Sequence, residues 1–378
     1  MSGAATLAFA ADGALRMLVQ LYLRDLAAPP LLISMNTSLV WGGMFAGSYL
    51  WGLLGDRFSQ KGLLVGIMVA VAATVGALAA LLPPAATLGA VLGRATTVTG
   101  IVPIAMAMVS AHSRPDQRGR RLSHISAARA AGLAAGTALG GALLSALGFP
   151  ATFALLALLP ALGTGLLVRL PAAGGRRRPQ GGRSPFRCLA DRGLRALYLG
   201  ATLRQMGTTG SLSLIYVYMA ELDIASGSMG GIGALGPATA ILGMFLFGRL
   251  ADRIGRKRVF AFGFGLSCLV PVCFALSQGA AGVATGFVVL GLSFGSLYMG
   301  STALIGDVIP QERQGEMLGL FETSRGLGGV LGPVLAGLLM PALGFRGMFL
   351  GMAGLAGVGF TAVAARTREP SGRTPPPC

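Results

Sequence analysis

The feature that most constrains this chain is a ten-residue segment that occurs twice, 196 residues apart. The first copy begins at Gly52 and reads GLLGDRFSQK, and the second begins at Gly248 and reads GRLADRIGRK. The same offset aligns Arg129 with Arg325, and it aligns the tetrapeptide Ala-Leu-Gly-Phe at 146–149 with the identical one at 342–345. A shared register over this distance indicates two homologous halves in parallel orientation.

Composition places these halves in a membrane. Hydrophobic residues make up 53% of the chain and charged residues only 11%, whereas soluble domains average about 25% charged. We find twelve apolar segments of about 20 residues, each long enough to cross a bilayer as a helix. Their predicted spans are 4–24, 31–54, 62–82, 85–110, 122–145, 150–170, 196–220, 229–250, 259–277, 281–306, 318–340 and 346–366. The sequence therefore predicts an all-α, multi-pass membrane protein.

The net charge of +17 raises the possibility of a nucleic-acid partner, but the basic residues occupy short gaps after the even-numbered segments. This placement follows the positive-inside rule and predicts that both termini are cytoplasmic. We predict two six-helix bundles, 1–170 and 196–366, a basic cytoplasmic linker at 171–195 and a cytoplasmic tail at 367–378. The linker is either a flexible tether or a contact for anionic lipid.

No enzyme chemistry is indicated by the sequence. The four cysteines have no metal-site spacing, the only histidines are His112 and His124 in or beside one loop, and no Gly-Lys nucleotide loop is present. We expect no metal, no cofactor and no nucleic acid, and we expect the lipid bilayer and a small molecule as partners of a monomer.

The repeated Gly-x-x-x-Asp-Arg-x-Gly-Arg-Lys pattern resembles the signature loop of the major facilitator superfamily. The first copy carries Ser59 and Gln60 where the second has Gly255 and Arg256. The resemblance implies twelve helices in two pseudo-symmetric bundles that work by alternating access. It also implies a cytoplasmic gate, in which Asp56 reaches the start of segment 11 and Asp252 the start of segment 5. The predicted gate residues are Gly52, Asp56, Arg57, Arg129, Gly248, Asp252, Arg253, Glu322 and Arg325.

The alternative for this gate is that both aspartates only end their helices in solvated loops. A second pattern lies in segments 5 and 11, where glycines four residues apart permit close helix packing. These helix-packing residues are Gly132, Gly136, Gly328, Gly332 and Pro333. They resemble the Gly-Pro motif of proton-coupled exporters, although Thr137 occupies the proline position in segment 5.

Charged side chains inside membrane segments mark functional sites. Asp12 and Arg16 lie four residues apart on one face of segment 1, and Arg94 lies within segment 4. We take these three as proton-coupling candidates, with Asp12 as the first choice, and a closed structural pair of Asp12 and Arg16 as the alternative. The predicted substrate-cavity residues are Tyr22, Arg94, Arg204, Gln205, Tyr216 and Tyr298.

These candidates form a mildly polar, sparsely charged wall. We therefore predict a secondary transporter of the plasma membrane that moves a small amphipathic solute, and proton-coupled efflux by an antiporter is our first choice. The proton is then the coupling ion. A metabolite facilitator or importer is the alternative within the same superfamily. A non-transporting membrane sensor is the alternative from another class.

Overall fold

The computed structural model describes residues 2–112, 115–169, 192–308 and 314–366, and these residues are almost entirely helical. One short 3-10 turn, Leu78–Ala80, extends the third helix. The helices are α1 (Ser2–Asp25), α2 (Pro30–Arg57), α3 (Gln60–Ala77), α4 (Pro84–Val98), α5 (Ile101–His112), α6 (Pro115–Val168), α7 (Arg192–Ser213), α8 (Ile215–Glu221), α9 (Ser226–Ile254), α10 (Arg256–Leu276), α11 (Ala280–Val308) and α12 (Gln314–Arg366).

Eight helical stretches in the described part of the chain are long and apolar enough to cross a membrane. Two of them, within α6 and α12, are 45 residues long and turn back at Gly148 and Gly344, where the backbone leaves helical geometry. Each therefore supplies two spans. The pairs α4–α5 and α7–α8 are each interrupted by one or two residues and continue as one span. The helices α1, α2, α3, α9, α10 and α11 add one span each, which brings the described residues to twelve spans. The predicted all-α fold is confirmed.

The two turns at Gly148 and Gly344 depend on glycine. Their φ angles are 72° and 65°, with ψ at 179° in both, a region that residues with a Cβ atom essentially do not occupy. The two helix ends at Ala27 and Asp223 also match, with φ angles of 51° and 54°. All four positions obey the 196-residue offset, so the repeat in the sequence is also a repeat in backbone conformation.

An aromatic cluster repeats with the same offset. In the first half the Tyr22 ring lies 5.4 Å from the Phe149 ring and 6.0 Å from the Phe153 ring. In the second half Tyr218 lies 5.2 Å from both Phe345 and Phe349. Each cluster joins the end of the first span of its half to the residues that follow the glycine turn.

Glycines bring α1 against α6 and α7 against α12. A Cβ atom at Gly136 would overlap the carbonyl of Ala10, and one at Gly332 would overlap the carbonyl of Met206. Ala10 and Met206 are themselves repeat partners. The backbone is helical through Pro333, and the break in α12 lies at Gly344. Both halves therefore use the predicted glycines for close packing.

The halves meet through α2 with α12 and through α6 with α9. The Ser38 hydroxyl donates to the Val330 carbonyl at 2.7 Å, and Gly141 lies against the backbone of Gly230. We call the end of the bundle that carries 52–57 and 248–253 the motif end, and the other the opposite end. These contacts lie towards the opposite end. Towards the motif end, the repeat partners Tyr49 and Phe245 are 74% and 68% exposed.

The predicted linker 171–195 lies outside the described residues except for 192–195, which belong to the start of α7, and the tail 367–378 lies outside them completely. The domain boundaries therefore stay a prediction. Each of the two six-span halves is nevertheless recognisable from its repeated turns and its own helix pair, α1 with α6 or α7 with α12.

Replacement of Gly136 or Gly332 by alanine should destabilise the protein by about 1–3 kcal/mol, because a backbone oxygen cannot yield to the new methyl group as a flexible side chain can. Gly165 and Gly354 are matched controls in the same helices, since an added Cβ atom meets nothing within 4 Å. Thermal unfolding in detergent measures the difference. Equal midpoints for Gly136→Ala and Gly165→Ala would contradict the packing account.

Candidate functional site

The centre of the candidate site is the carboxylate of Asp12, whose side chain is 4% exposed. Arg16, one helical turn further along α1, donates from Nε and Nη2 to Oδ2 at 3.2 and 3.1 Å. Nη1 of Arg94, on α4, forms an ion pair with the other oxygen, Oδ1. The structure therefore gives Asp12 two cationic partners, one from its own helix and one from a neighbouring helix.

Arg94 is 3% exposed and depends on Asp12 for its counter-charge. Its Nε has no hydrogen-bond partner in the described part of the chain. A buried cation is costly in a membrane protein unless it faces water or an anion. The predicted Asp12–Arg16 pair is present, but it is not closed, because Arg94 also joins it.

Arg16 marks an opening inside the protein. Every residue from 8 to 23 is buried except Arg16, whose side chain is 46% exposed. Because α1 contacts α2, α3, α4, α6, α8 and α9, this exposure lies among helices of both halves rather than on the outer surface. We conclude that Arg16 faces an internal space that water can reach.

Next to this space the span α7–α8 is interrupted at Leu214, whose φ and ψ are −124° and 8°. Gln20 of α1 occupies the break: its Nε2 donates to the Leu212 carbonyl at 3.1 Å, and its Oε1 accepts from the Tyr216 backbone N–H at 3.3 Å. The sequence has no glycine or proline between 211 and 216, so nothing local predicts this break. Gln20 thus links the two halves through backbone groups that the break leaves unpaired.

The second half contributes Arg204 and Gln205 on α7, both buried. The Arg204 Nη2 donates to the Gln205 Oε1 at 2.8 Å, and the guanidinium lies over the Phe264 ring at 5.9 Å from its centroid. Arg204 is also near enough to Glu322 and Arg325 to interact electrostatically with both. Within the described residues no ion pair reaches Arg204.

The three predicted cavity tyrosines have different surroundings. The Tyr22 hydroxyl donates to the Leu82 carbonyl at 2.8 Å, as that of Tyr218 does to the Ser277 carbonyl at 2.7 Å, so in this conformation Tyr22 belongs to the aromatic cluster and not to the internal space. Tyr216 packs against Gly233 and interacts electrostatically with Arg16. The side chain of Tyr298 lies outside the described residues.

Only part of the predicted gate lies among the side chains that the structure describes. Asp252, Arg57 and Arg253 are exposed, and no ion pair joins Asp252 to Arg129 among the described side chains. Arg129 lies over the ring of Phe9, with its Cζ 5.6 Å from the ring centroid.

Among the remaining gate residues, Glu322 and Arg325 form an ion pair within one helix. Arg325 donates to Glu322 of its own helix at 2.8 Å, and Glu322 is 60% exposed. Gly248 is half-buried, and the surroundings of Gly52 and Asp56 lie outside the described residues. The clasps between the halves therefore stay a prediction.

Comparison with known proteins identifies the family. The family model of the Major Facilitator Superfamily matches residues 1–201 and again residues 197–377. The chain belongs to this superfamily. It is accordingly an integral, multi-pass transporter and not an enzyme, and the resemblance seen in the repeated motif is confirmed.

Individual relatives are more distant. Multidrug resistance protein 3 of Bacillus subtilis is 30% identical over 107 residues, which cover 28% of this chain and 21% of the relative. The methylenomycin A resistance protein of Streptomyces coelicolor is 32% identical over 108 residues, 28% of this chain and 23% of the relative. The chain thus spans less than a quarter of either relative. The crystal structure of the nucleoside transporter NupG has a TM-score of 0.83 at 15% identity, covering 97% of this chain and 98% of NupG, which shows the shared fold.

The ion-pair geometry predicts an order of stabilities. Asp12→Ala should destabilise the protein by about 3 kcal/mol, because it leaves Arg94 buried without an anion, and the double variant Asp12→Ala, Arg94→Leu should regain much of that loss. Arg16→Ala should cost less than about 1 kcal/mol, because Arg16 is partly exposed. Thermal unfolding of the four proteins tests this order. A double variant less stable than Asp12→Ala alone would contradict it.

Proposed function

We propose that this transporter exports a small amphipathic solute and that proton binding at Asp12 couples export to the proton gradient. The observation that supports the proposal is the buried carboxylate held between Arg94 and Arg16. It is the only acidic side chain within the described membrane spans that is buried. An intramembrane carboxylate with cationic partners is a usual element of a proton pathway.

Protonation of Asp12 would remove the charge that holds both arginines. Binding of one proton would therefore change two contacts at once, one within α1 and one between α1 and α4. Because α1 also reaches the break in α7–α8 through Gln20, a rearrangement of α1 is transmitted to the other half. This gives the proton a physical route to alternating access.

Export is supported by the two resistance proteins among the relatives, whose names concern multidrug and methylenomycin A resistance. Export against a concentration gradient requires that protons enter as the solute leaves, which is the antiport mode. We further propose that the protein is a monomer in the plasma membrane with both termini cytoplasmic, as the distribution of arginine and lysine predicts. The motif end is then the cytoplasmic end.

With that orientation, we propose that this conformation is closed at the outer side. The contacts between the halves at Ser38, Gly141 and Gly230 form the outer closure. The clasps of Asp56 and Asp252 with the starts of the eleventh and fifth spans would form in the alternate state. Arg129 and Arg325 lie near those starts and are the expected partners.

Proton-coupled import is the second candidate. Two arginines face one aspartate at the site, and such a positive surplus suits an anion that enters together with a proton. The solved nucleoside transporter NupG also shares the fold, which is therefore compatible with solutes other than drugs.

Proteoliposomes with an imposed pH difference test the coupling. We choose three naphthalene probes of similar size with fixed charge: 2-naphthalenesulfonate, 2-naphthalenesulfonamide and (2-naphthylmethyl)trimethylammonium. In the antiport mode an acidic interior should drive uptake of at least one probe above protein-free liposomes. Asp12→Asn should lose this uptake but keep downhill exchange of labelled for unlabelled probe.

Arg24→Gln is the control, because Arg24 is exposed at the end of α1. Uptake driven only by an acidic exterior would favour import over export. Unchanged pH-driven uptake by Asp12→Asn would remove Asp12 from the coupling, and absence of protein-dependent movement of all three probes would contradict the proposed solute class.

The gate proposal has a separate test. Spin labels at Phe58 and Ile254, repeat partners that are both exposed, should report two distance populations across the motif end. Asp252→Asn should increase the longer one, because the clasp that closes this end loses its charge. Asp223→Asn, an exposed aspartate at the opposite end, is the matched control. Identical distributions for Asp252→Asn and wild type would argue against the clasp.

A further inference from the structure

We infer that the solute carries an anionic group, a carboxylate, sulfonate or phosphate, which binds the exposed side of the Arg16 guanidinium. The inference rests on the proposed transport function, but not on its direction. It narrows the mildly polar site predicted from the sequence to a site of definite charge.

The charges of the described membrane spans do not cancel. Asp12 faces both Arg16 and Arg94, and the described partner of Arg204 is the neutral amide of Gln205. Glu322 and Arg325 neutralise each other. The described part of the core therefore has an excess of positive charge, which disfavours a cationic solute and is relieved by an anionic one.

The Arg16 guanidinium has N–H donors that Asp12 does not use and that can bind such an anionic group. A guanidinium has five N–H donors in a planar fork, and Asp12 receives hydrogen bonds from Nε and Nη2 only. The two N–H groups of Nη1 and the second of Nη2 remain. They match the spacing of two oxygens of a carboxylate or sulfonate, and their side chain is the exposed one within the buried run 8–23.

Arg94 provides an independent indication. Its Nε is buried without a hydrogen-bond partner within the described part of the chain, next to the carboxylate that it shares with Arg16. Such an unpaired charged donor is costly inside a protein. Asp12 can neutralise only one of the two arginines. A second anion in this cluster would compensate the remaining positive charge.

The surroundings of Arg16 suit an apolar body attached to the anionic group. The Tyr216 backbone N–H donates to Gln20, one turn from Arg16 on α1, and the Tyr216 ring lies 6.2 Å from the ring of Phe287. An aromatic or aliphatic acid therefore fits better than a small inorganic anion. An anion here and a proton on Asp12 would stabilise each other, so joint uptake of the two would favour the import candidate.

The test is equilibrium binding of the three naphthalene probes to the purified full-length protein in nanodiscs, without any pH gradient. The sulfonate should bind more tightly than the sulfonamide, and the trimethylammonium least. Arg16→Gln should weaken sulfonate binding about 10- to 100-fold, the range for one lost charge-assisted contact, and Arg16→Lys should fall between. Arg24→Gln should stay within about 2-fold of wild type, because Arg24 is exposed away from the cluster.

The Asp12→Asn variant tests whether the site binds an anionic or a cationic solute. If the site holds an anion, removal of the competing carboxylate should preserve or strengthen sulfonate binding. Three outcomes would each overturn the inference. The protein could bind the trimethylammonium best and lose that binding in Asp12→Asn, it could bind the sulfonate equally well in Arg16→Gln, or it could bind no sulfonate at all. Sulfonate binding that depends on Arg16, without transport, would instead contradict the proposed function and leave this inference standing.

Discussion

Close approach of backbones at glycine is the constraint on which this fold depends. Inside a bilayer, helices gain little from hiding apolar side chains from one another, because lipid is equally apolar. Association must then come from short-range packing, and α1 reaches α6, as α7 reaches α12, only where a Cβ atom is missing. This packing encloses α1 almost completely. It is therefore the reason that a charged pair on α1 lies in the interior.

The internal repeat accounts for the helix framework but not for the charged residues of the candidate site. The glycine turns, the left-handed helix ends and the aromatic clusters all recur with the same offset. The charged residues of the membrane interior do not recur: Asp12 corresponds to Thr208, Arg16 to Leu212 and Arg94 to Leu290, while Arg204 corresponds to Ala8. Duplication thus gave two similar frames that can move against each other, and later divergence placed the ion-paired cluster in one of them.

The sequence predicts the parts of this structure that depend on local pattern. Apolar runs of fixed length give the spans, and the spacing of four gives the contact between Asp12 and Arg16. The pairing of Arg94 with Asp12 requires α4 to lie beside α1, and the Gln20 bridge requires a break in α7–α8; both are tertiary facts without a local signal. Tyr22 was misleading for a related reason. A polar tip on a membrane helix suggests a cavity, whereas here the Leu82 carbonyl, in the connection before α4, accepts its hydrogen bond.

The Gln20 bridge has a consequence for hydration. Gln20 and Tyr216 are repeat partners, so the bridge lies close to the axis that relates the halves. When the halves separate at the opposite end, the Leu212 carbonyl and the Tyr216 amide lose the side chain that satisfies them. Unpaired backbone groups cannot remain dry at this depth. In the proposed cycle, opening therefore either brings water to the break or lets the Tyr216 amide bond the Leu212 carbonyl directly, which would make the span α7–α8 continuous.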